Sequence, residues 1–259
     1  MKIAAWNVNS VRARLPHVLE YLSQSAPDIL LLQETKTADE TFPFAELQDA
    51  GYETAHYGQK SYNGVAIVSR LPLSDIVKGM PNRPKDEQAR VIAATVEYAG
   101  APLRAVSVYA PNGQNLESEK YEYKLEWYKD FCDYLGDAKE KYGAAAAGGD
   151  YNIAPADADI YDAAEWGEEV LASPPERAAL NKIFAEGFYD AHRLFDQPEK
   201  SFSWWDYRAA AFRRNRGVRI DLILVSAALK NKCAACAPDP APRGWERPSD
   251  HAPVIAAFK

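Results

Sequence analysis

Strand-like apolar runs alternate with helix-like segments from one end of the chain to the other, and no linker interrupts the alternation. Runs rich in Val, Ala, Ile or Leu are typical of strands and lie at 2–6, 28–34, 64–70, 90–98, 103–109, 144–150, 220–225 and 253–258. Apolar residues at helical spacing predict helices at 11–24, 118–142 and 174–187. This mixture predicts one α/β or α+β domain spanning residues 1–259, with sheets covered by helices.

The composition narrows the class of protein. Hydrophobic residues make up 47% and charged residues 26% of the chain, as in an ordinary globular protein. The net charge of −7 argues against a protein that coats nucleic acid by bulk charge. Three cysteines are too few for a disulfide framework, and Cys233 and Cys236 lack the second pair that a zinc site needs. Without a signal peptide or a membrane-spanning run, we expect a cytoplasmic protein.

Polar residues stand where the strand-like runs begin or end: Asn7, Glu34, Asp150, Asn152, Asp221, Asp250 and His251. Strand ends are where ligands bind in open sheets, and carboxylates gathered there repel one another unless a cation neutralises them. Oxygen ligands suit Mg²⁺ or Mn²⁺ better than zinc. In an extended segment, the spacing of Asp150 and Asn152 points both side chains to one side. Taken singly, each residue has an ordinary alternative role in a turn, a cap or an exposed loop.

Six motifs occur in one order: Trp6-Asn7, Gln33-Glu34-Thr35, Tyr109-x-Pro111-Asn112, Gly149-Asp150-x-Asn152, Arg219-Ile220-Asp221 and Ser249-Asp250-His251. Together they resemble the signature set of the exonuclease III family of AP endonucleases, within the endonuclease/exonuclease/phosphatase superfamily related to DNase I. The likeness covers almost the whole chain, from Lys2 to Lys259. It implies a four-layer α/β sandwich, in which two packed β-sheets are flanked by helices.

The resemblance also implies an activity. It points to a metal-dependent phosphodiesterase of DNA repair that uses one or two Mg²⁺ ions, with Mn²⁺ as an alternative. The enzyme would cut on the 5′ side of an abasic site and leave a 3′-hydroxyl, with accompanying 3′-phosphodiesterase and 3′→5′ exonuclease activity. The partner implied is double-stranded DNA with abasic or 3′-blocked sites, bound by a monomer that does not associate with membranes.

The family's motifs assign roles to individual residues. Glu34 would be the principal metal ligand, within a metal site made of Asn7, Glu34, Asp150, Asn152, Asp250 and His251. The implied catalytic residues are Tyr109, Asp150, Asn152, Asp221 and His251. In this assignment Asp150 orients or deprotonates the attacking water, and Asn152 contacts the scissile phosphate. Asp221 holds the His251 imidazole toward the phosphate, and Tyr109 hydrogen-bonds the phosphate or the leaving oxygen.

The segment 207–219 contains five arginines and no acid, so its local charge is +5. Arginine suits phosphates and narrow grooves, and the interleaved aromatic residues suit stacking on bases. The expected DNA-binding residues are Asn112, Trp204, Trp205, Tyr207, Arg208, Arg213, Arg214, Arg216, Val218 and Ile220. The resemblance implies that Trp204, Val218 and Ile220 line a pocket for the flipped abasic sugar. The alternative is a solvated arginine-rich loop beside core aromatic residues.

Two features of this chain bear on how closely it follows the family that it resembles. Asn9 stands where some relatives carry an acid near the metal, so we do not count it as a ligand. The acidic, turn-rich stretch 157–173 is predicted to be a surface loop, at a place where family members vary in a DNA-facing loop. Its sequence bears on the balance between cutting abasic sites and degrading 3′ ends.

Three other functions compete with the leading interpretation. The first is an enzyme that acts mainly as a double-strand-specific 3′→5′ exodeoxyribonuclease. The second is a phosphatase of the same superfamily that acts on phospholipid head groups, which the arginine-rich aromatic segment disfavours. The third is a catalytically silent DNA-binding module, which the presence of all the signature residues disfavours.

Overall fold

Two six-stranded β-sheets pack face to face in the computed structural model, which describes residues 1–259. The first sheet has the spatial order β11 (Cys233–Pro238), β12 (Val254–Phe258), β1 (Lys2–Asn7), β2 (Ile29–Gln33), β4 (Val65–Ser69) and β3 (Glu53–Tyr57). The second has the order β5 (Ser74–Lys78), β6 (Val91–Tyr98), β7 (Ala101–Tyr109), β8 (Ala144–Asp150), β10 (Asp221–Ser226) and β9 (Phe188–Asp190). A parallel pair lies at the centre of each sheet, β1 with β2 and β7 with β8, and all other neighbours are antiparallel.

Helices cover the outer faces of both sheets. The helices are α1 (Val11–Ser25), α2 (Phe44–Asp49), α3 (Glu119–Tyr142), α4 (Ala163–Trp166), α5 (Pro174–Ala185) and α6 (Ala227–Lys230). Short 3₁₀ turns lie at Asp39–Thr41, Asp157–Asp159, Ala191–Leu194, Arg208–Ala210 and Ala241–Gly244. Helices α1 and α2 pack on the first sheet, and α3 and α5 pack on the second. The predicted four-layer sandwich is therefore confirmed.

The inner faces of the two sheets share one hydrophobic core. Ala5 and Leu31 from the first sheet pack with Ala146 and Ile223 from the second, and all four are fully buried. The sheets approach closely at Gly148, where a Cβ atom would lie 2.8 Å from Leu31 Cδ1. Burial on both faces explains why β2 reads as a continuous apolar run, since α1 covers the face that points away from the second sheet.

The elements with a strong apolar pattern form where the sequence predicts them. Helix α3 begins at the Ser118 cap, whose hydroxyl accepts a hydrogen bond from Tyr121 N, and it buries an aromatic stripe against β7 and β8. Strands β3, β5, β9 and β11 and helices α2, α4 and α6 were not predicted. Strand β5 is an exposed edge strand with no buried residue, so burial imposes no apolar pattern on its sequence.

The stretch 157–173 differs from the predicted surface loop. It folds into a 3₁₀ turn and α4, and it buries Asp159, Ile160 and Leu171. Cys233 and Cys236 lie in β11 as free thiols. None of the helices combines the length and the apolar character needed to cross a membrane.

Candidate active site

The ends of central strands from both sheets meet at one edge of the sandwich. Asn7 ends β1 and Asp150 ends β8, while Glu34 directly follows β2. Asp221 begins β10 and stands opposite Asp150 in the antiparallel register, because β10 runs back along β8. His251 lies at the same edge, because it stands three residues before β12 and β12 runs antiparallel to β1. Sheet topology therefore gathers side chains that are far apart in the sequence.

Two carboxylates and one amide form the centre of this edge. The Asn7 amide nitrogen donates to Glu34 Oε1 at 2.8 Å and to Asp150 Oδ2 at 2.9 Å. Potential ligand atoms of Glu34, Asp150 and His251 all lie within 4.8 Å of one another. Adjacent carboxylates with an amide beside them favour a hard divalent cation, because such cations prefer oxygen ligands. The donor set therefore fits Mg²⁺ or Mn²⁺.

Asp221 contacts the His251 imidazole on the side opposite Asp150. The His251 Nδ1 atom lies 2.9 Å from Asp221 Oδ2, and the Ser203 hydroxyl donates to the same oxygen at 2.7 Å. The opposite ring nitrogen, Nε2, lies 3.7 Å from Asp150 Oδ2. Burial alone would lower the pKa of His251, but the Asp221 and Asp150 carboxylates outweigh it and raise the pKa to about 10. The imidazole is therefore a proton donor at neutral pH.

Asp150 has the properties of a general base. Burial raises its pKa, Asp221 and Glu34 raise it further, and His251 and Asn7 oppose the rise, so that the pKa is about 7. A base with a pKa near the working pH exchanges protons with water most effectively.

Asn152 reaches the site by a turn and not by strand alternation. Strand β8 ends at Asp150, and Asn152 has φ +50°, in the left-handed region. Its backbone N–H donates to Asp150 Oδ1 at 2.9 Å, its side-chain amide donates to Ala110 O, and its Oδ1 accepts from Asn112 Nδ2 at 3.0 Å. The period-2 argument for Asp150 and Asn152 was wrong, because the chain leaves the extended conformation between them.

Tyr109 ends β7 beside the acidic centre. Burial, followed by the charges of Glu34 and Asp150, raises the pKa of its hydroxyl well above the ordinary value, so the hydroxyl keeps its proton. The Arg90 guanidinium lies over the Tyr109 ring, 5.1 Å from its centroid. The motifs did not reveal Arg90, which is brought to Tyr109 by the β6–β7 pairing.

Asp250 lies outside the group of potential ligand atoms. One of its carboxylate oxygens accepts from Asn9 Nδ2 at 2.9 Å and the other from Trp204 Nε1 at 3.0 Å. The Lys36 ammonium donates to Asn9 Oδ1 at 2.6 Å and lies 2.8 Å from Glu34 Oε2. Sequence reasoning missed Lys36, although it stands directly after Gln33-Glu34-Thr35. Asn9, set aside for lack of charge, thus connects Asp250 to Glu34 through Lys36.

The arginine-rich segment 207–219 is less basic at the surface than its composition indicates. Arg208 pairs with Asp206, and Arg216 pairs with Glu165. Arg213 and Arg214 are exposed and have no carboxylate within ion-pair distance. They are the arginines of this segment that are free to meet an anion.

Arg219 does not belong to the basic surface. Its side chain is buried, with Nε 2.7 Å from Asp159 Oδ1 and Nη2 2.8 Å from Asp190 Oδ2. The count of +5 for the segment is therefore wrong as a measure of surface charge. Asp159 belongs to the acidic stretch 157–173, so this ion pair also explains why that stretch folds against the body of the protein.

The aromatic and apolar residues expected to contact DNA divide into two groups. Trp204 is half-buried beside Asp250, and Tyr207 is 52% exposed with its hydroxyl donating to Pro248 O. Trp205, Val218 and Ile220 are buried in two small clusters, with Phe202 among the neighbours of Trp205 and Ile160 among those of the other two. In this conformation these three side chains lie beneath the surface, because β-bridges at Val218 fold the segment inward.

A polar cleft of about 760 Å³ opens beside Tyr109 and Asn112. Arg90 and Lys120 contribute its positive charge, the exposed Tyr62 lies on its wall, and no Asp or Glu lines it. This cleft was not predicted, since its residues come from three separate parts of the chain without a shared motif.

Comparisons with known proteins agree with this geometry. The model of the endonuclease/exonuclease/phosphatase family matches residues 4–251. The exodeoxyribonuclease III of Haemophilus influenzae is 37% identical, over 100% of both chains. A structure of the 3′ phosphatase NExo from Neisseria bound to product DNA hairpin has a TM-score of 0.95 at 44% identity, covering 100% of this chain and 99% of that one. An AP endonuclease from Archaeoglobus fulgidus has a TM-score of 0.93 at 37% identity, covering 100% and 99%. This chain belongs to the endonuclease/exonuclease/phosphatase family, as a hydrolytic nuclease of its exodeoxyribonuclease III and AP endonuclease group.

Proposed function

We propose that this enzyme hydrolyses the DNA phosphodiester bond on the 5′ side of an abasic site and leaves a 3′-hydroxyl. The observation that carries the proposal is the buried Asp150 carboxylate, set between the His251 imidazole and the Asn7 amide with Glu34 beside it. The same site would remove 3′-blocking groups and degrade 3′ ends, because each of these reactions attacks a phosphate ester with water. The names of the relatives include both exonucleases and AP endonucleases.

The residues of the site divide the work of hydrolysis. Asp150 takes a proton from the attacking water, and the protonated His251, held by Asp221, donates a hydrogen bond to a phosphate oxygen. The Tyr109 hydroxyl and the Asn152 amide serve as further donors to the phosphate. Glu34 and Asp150, with Asn7 and Asp250 nearby, would hold one or two Mg²⁺ or Mn²⁺ ions. A divalent ion held there would supply positive charge to neutralise the phosphate and the departing alkoxide.

DNA would lie across the edge where these strands end. The cleft beside Tyr109 offers Arg90 and Lys120 to the phosphate backbone on one side. Arg213 and Arg214 offer two unpaired guanidinium groups on the segment next to Trp204 and Tyr207. Arginine and lysine contacts to phosphates supply the sequence-independent part of a protein's affinity for DNA. The structure of the Neisseria relative with a DNA hairpin supports a DNA substrate, and we propose that the chain binds double-stranded DNA as a monomer.

The decisive experiment compares two substrates. One duplex carries a single abasic analogue, and the other carries an undamaged recessed 3′ end. Each is incubated with the protein in Mg²⁺ and in a chelator. A single cut 5′ to the abasic analogue that requires Mg²⁺ is the expected result. Progressive shortening of the second duplex alone would establish the alternative, a predominantly 3′→5′ exodeoxyribonuclease, and cleavage that persists in chelator would overturn the metal assignment.

Two variants test the site itself. We expect Asp150→Asn and His251→Ala each to lose at least about 10²-fold in cleavage rate, the size of a general acid or base contribution, while folding normally. His192→Ala is the matched control, because His192 is another buried histidine that contacts none of the site residues. Near-wild-type rates in either site variant would contradict the proposed roles.

A further inference from the structure

A buried ion pair lies directly behind the active-site edge. Lys124 of α3 and Glu176 of α5 are in contact, and both side chains have 0% exposure. They belong to helices that pack against the second sheet, and neither side chain reaches the molecular surface. None of the six motifs contains either residue.

The Lys124 ammonium uses its three N–H groups on three partners. It donates to Asn152 O at 2.7 Å and to Asn112 O at 3.0 Å, and it pairs with Glu176 Oε1. Lysine carries three donors and no acceptor, so this arrangement satisfies the group completely. The two carbonyls belong to the residues whose side-chain amides bond to each other, from Asn112 Nδ2 to Asn152 Oδ1 at 3.0 Å. One cation therefore fixes the backbone of both amide residues.

Glu176 extends the contact to the end of the stretch 157–173. Its carboxylate accepts from Leu171 N at 3.1 Å, from Ser173 N at 3.0 Å and from the Ser173 hydroxyl at 2.6 Å. The chain enters α5 at this point. The ion pair thus connects the end of the 157–173 stretch to the backbone segments that directly follow β7 and β8.

The location of this pair calls for a reason other than stability. Removing two charges from water costs free energy that their attraction often fails to repay, and apolar replacements are frequently as stable. Asn152, however, has φ +50°, a left-handed conformation that asparagine can adopt and that its backbone hydrogen bonds select here. Its N–H is held by Asp150 and its C=O by Lys124, one from each side.

We propose that Lys124, charge-balanced by Glu176, is a positioning residue for the hydrolytic reaction. By fixing the carbonyls of Asn112 and Asn152, it sets where their side-chain amides stand relative to Asp150. It touches neither substrate nor metal. The inference rests on the proposed function, since it gives Lys124 a part in the reaction assigned to Asn152 and Asp150.

The kinetic test uses Lys124→Met and the double variant Lys124→Met/Glu176→Gln. The single variant leaves a buried carboxylate unpaired and lowers the midpoint of thermal unfolding. The double variant removes the unpaired charge and recovers much of that midpoint, yet both carbonyls still lack their donor. We expect kcat to fall about 10- to 100-fold in both variants, with the KM for DNA little changed, as for a small misplacement of reacting groups. Lys124→Arg, which retains donors, restores most of the kcat.

Arg104→Met is the control for instability, because Arg104 is a buried cation of β7 that donates to Asp75 O and Thr95 and contacts no site residue. A purely structural role would make kcat follow stability. If kcat recovers together with the unfolding midpoint in the double variant, or falls no further in Lys124→Met than in Arg104→Met, the proposal is wrong.

Hydrogen exchange separates this proposal from the proposed function. Without any substrate, Lys124→Met should speed amide exchange in segments 110–113 and 150–154, and Arg104→Met should not. Unchanged exchange in those segments would overturn the positioning role whatever the enzyme cleaves. Failure of the wild-type protein to cut abasic DNA would overturn the proposed function and leave the exchange result standing.

Discussion

Asp150 carries the clearest consequence at the scale of single residues. Burial and neighbouring carboxylates raise its pKa to about 7, and a general base acts in its deprotonated form. The rate should therefore rise with pH, through an acidic limb at or below pH 7, because a bound cation favours the carboxylate. Measurement of kcat/KM between pH 5 and 9 in saturating Mg²⁺ locates this limb. A rate that falls as pH rises from 5 to 7 would exclude Asp150 as the base.

Asn7 supplies the control for this assignment. Its amide donates to Asp150 Oδ2 and favours the charged form of the carboxyl group. Asn7→Ala should move the acidic limb to higher pH, whatever it does to the maximal rate. A limb that stays in place would assign it to some other group.

At the scale of elements, the pairing of β7 with β8 depends on Gly149. The residue has φ +156°, and a Cβ atom there would lie 1.9 Å from Val108 O on β7. Gly149→Ala should lower the free energy of unfolding by about 3 kcal/mol or more, since the overlap is with backbone that cannot rotate away. Gly100→Ala is the control: with φ +76° and open space around it, only the left-handed conformation is penalised, at about 1–2 kcal/mol. Equal losses in urea denaturation would contradict the steric argument.

The arginine-rich segment combines a structural arginine with surface arginines. Arg219→Met would leave Asp159 and Asp190 buried without their cation, and should lower the free energy of unfolding by about 3–5 kcal/mol. Arg213→Met should change it by less than about 0.5 kcal/mol, because Arg213 is exposed and unpaired. The effect of Arg213→Met should appear instead in binding to duplex DNA measured at several salt concentrations. Its affinity should depend on salt less steeply than that of the wild-type protein, by about one phosphate contact. A stable Arg219→Met protein would contradict the buried ion-pair assignment.

At the scale of the whole molecule, the shared core bears on the prediction of a single domain over residues 1–259. Residues from both sheets pack in one cluster between the layers, so neither sheet retains its inner core without the other. We expect urea unfolding followed by far-ultraviolet circular dichroism and by tryptophan fluorescence to give coincident transitions. Trp6 packs beneath the helices that cover the first sheet, and Trp127 of α3 packs on the second sheet, so tryptophan fluorescence reports on both sheets. Two separated transitions would divide the chain into independent units.

The net charge of −7 also belongs to this scale, and it is compatible with a DNA-directed enzyme because charge is distributed unevenly. Acids gather at the strand ends around Glu34 and Asp150, whereas the adjoining cleft carries Arg90 and Lys120 without an acid in its lining. Binding held by a few local contacts should weaken as salt rises.

The layers and the chemical centre could be predicted because their signals are local in the sequence. A strand buried on both faces, such as β2, must be continuously apolar. The polar residues Asn7, Glu34 and Asp150 therefore stand out in the sequence where such strands end, and they face one another at the site. Strands β5 and β11 lie at the edges of their sheets and bury at most one residue each. Their sequences therefore need not be apolar, and they were not predicted.

The amino-acid sequence by itself thus determined the alternation of elements, the motifs at the strand ends and the family. Only the tertiary structure decided which charges are paired and which are free. Arg219 and Arg213 are alike in the sequence, but one lies between two carboxylates 60 and 29 positions away while the other faces solvent. Lys124 reaches Glu176 across 52 positions and supports Asn152 from behind. The physical reason is that the energy of a charged group depends on its burial and its partners, which contacts between distant parts of the chain create.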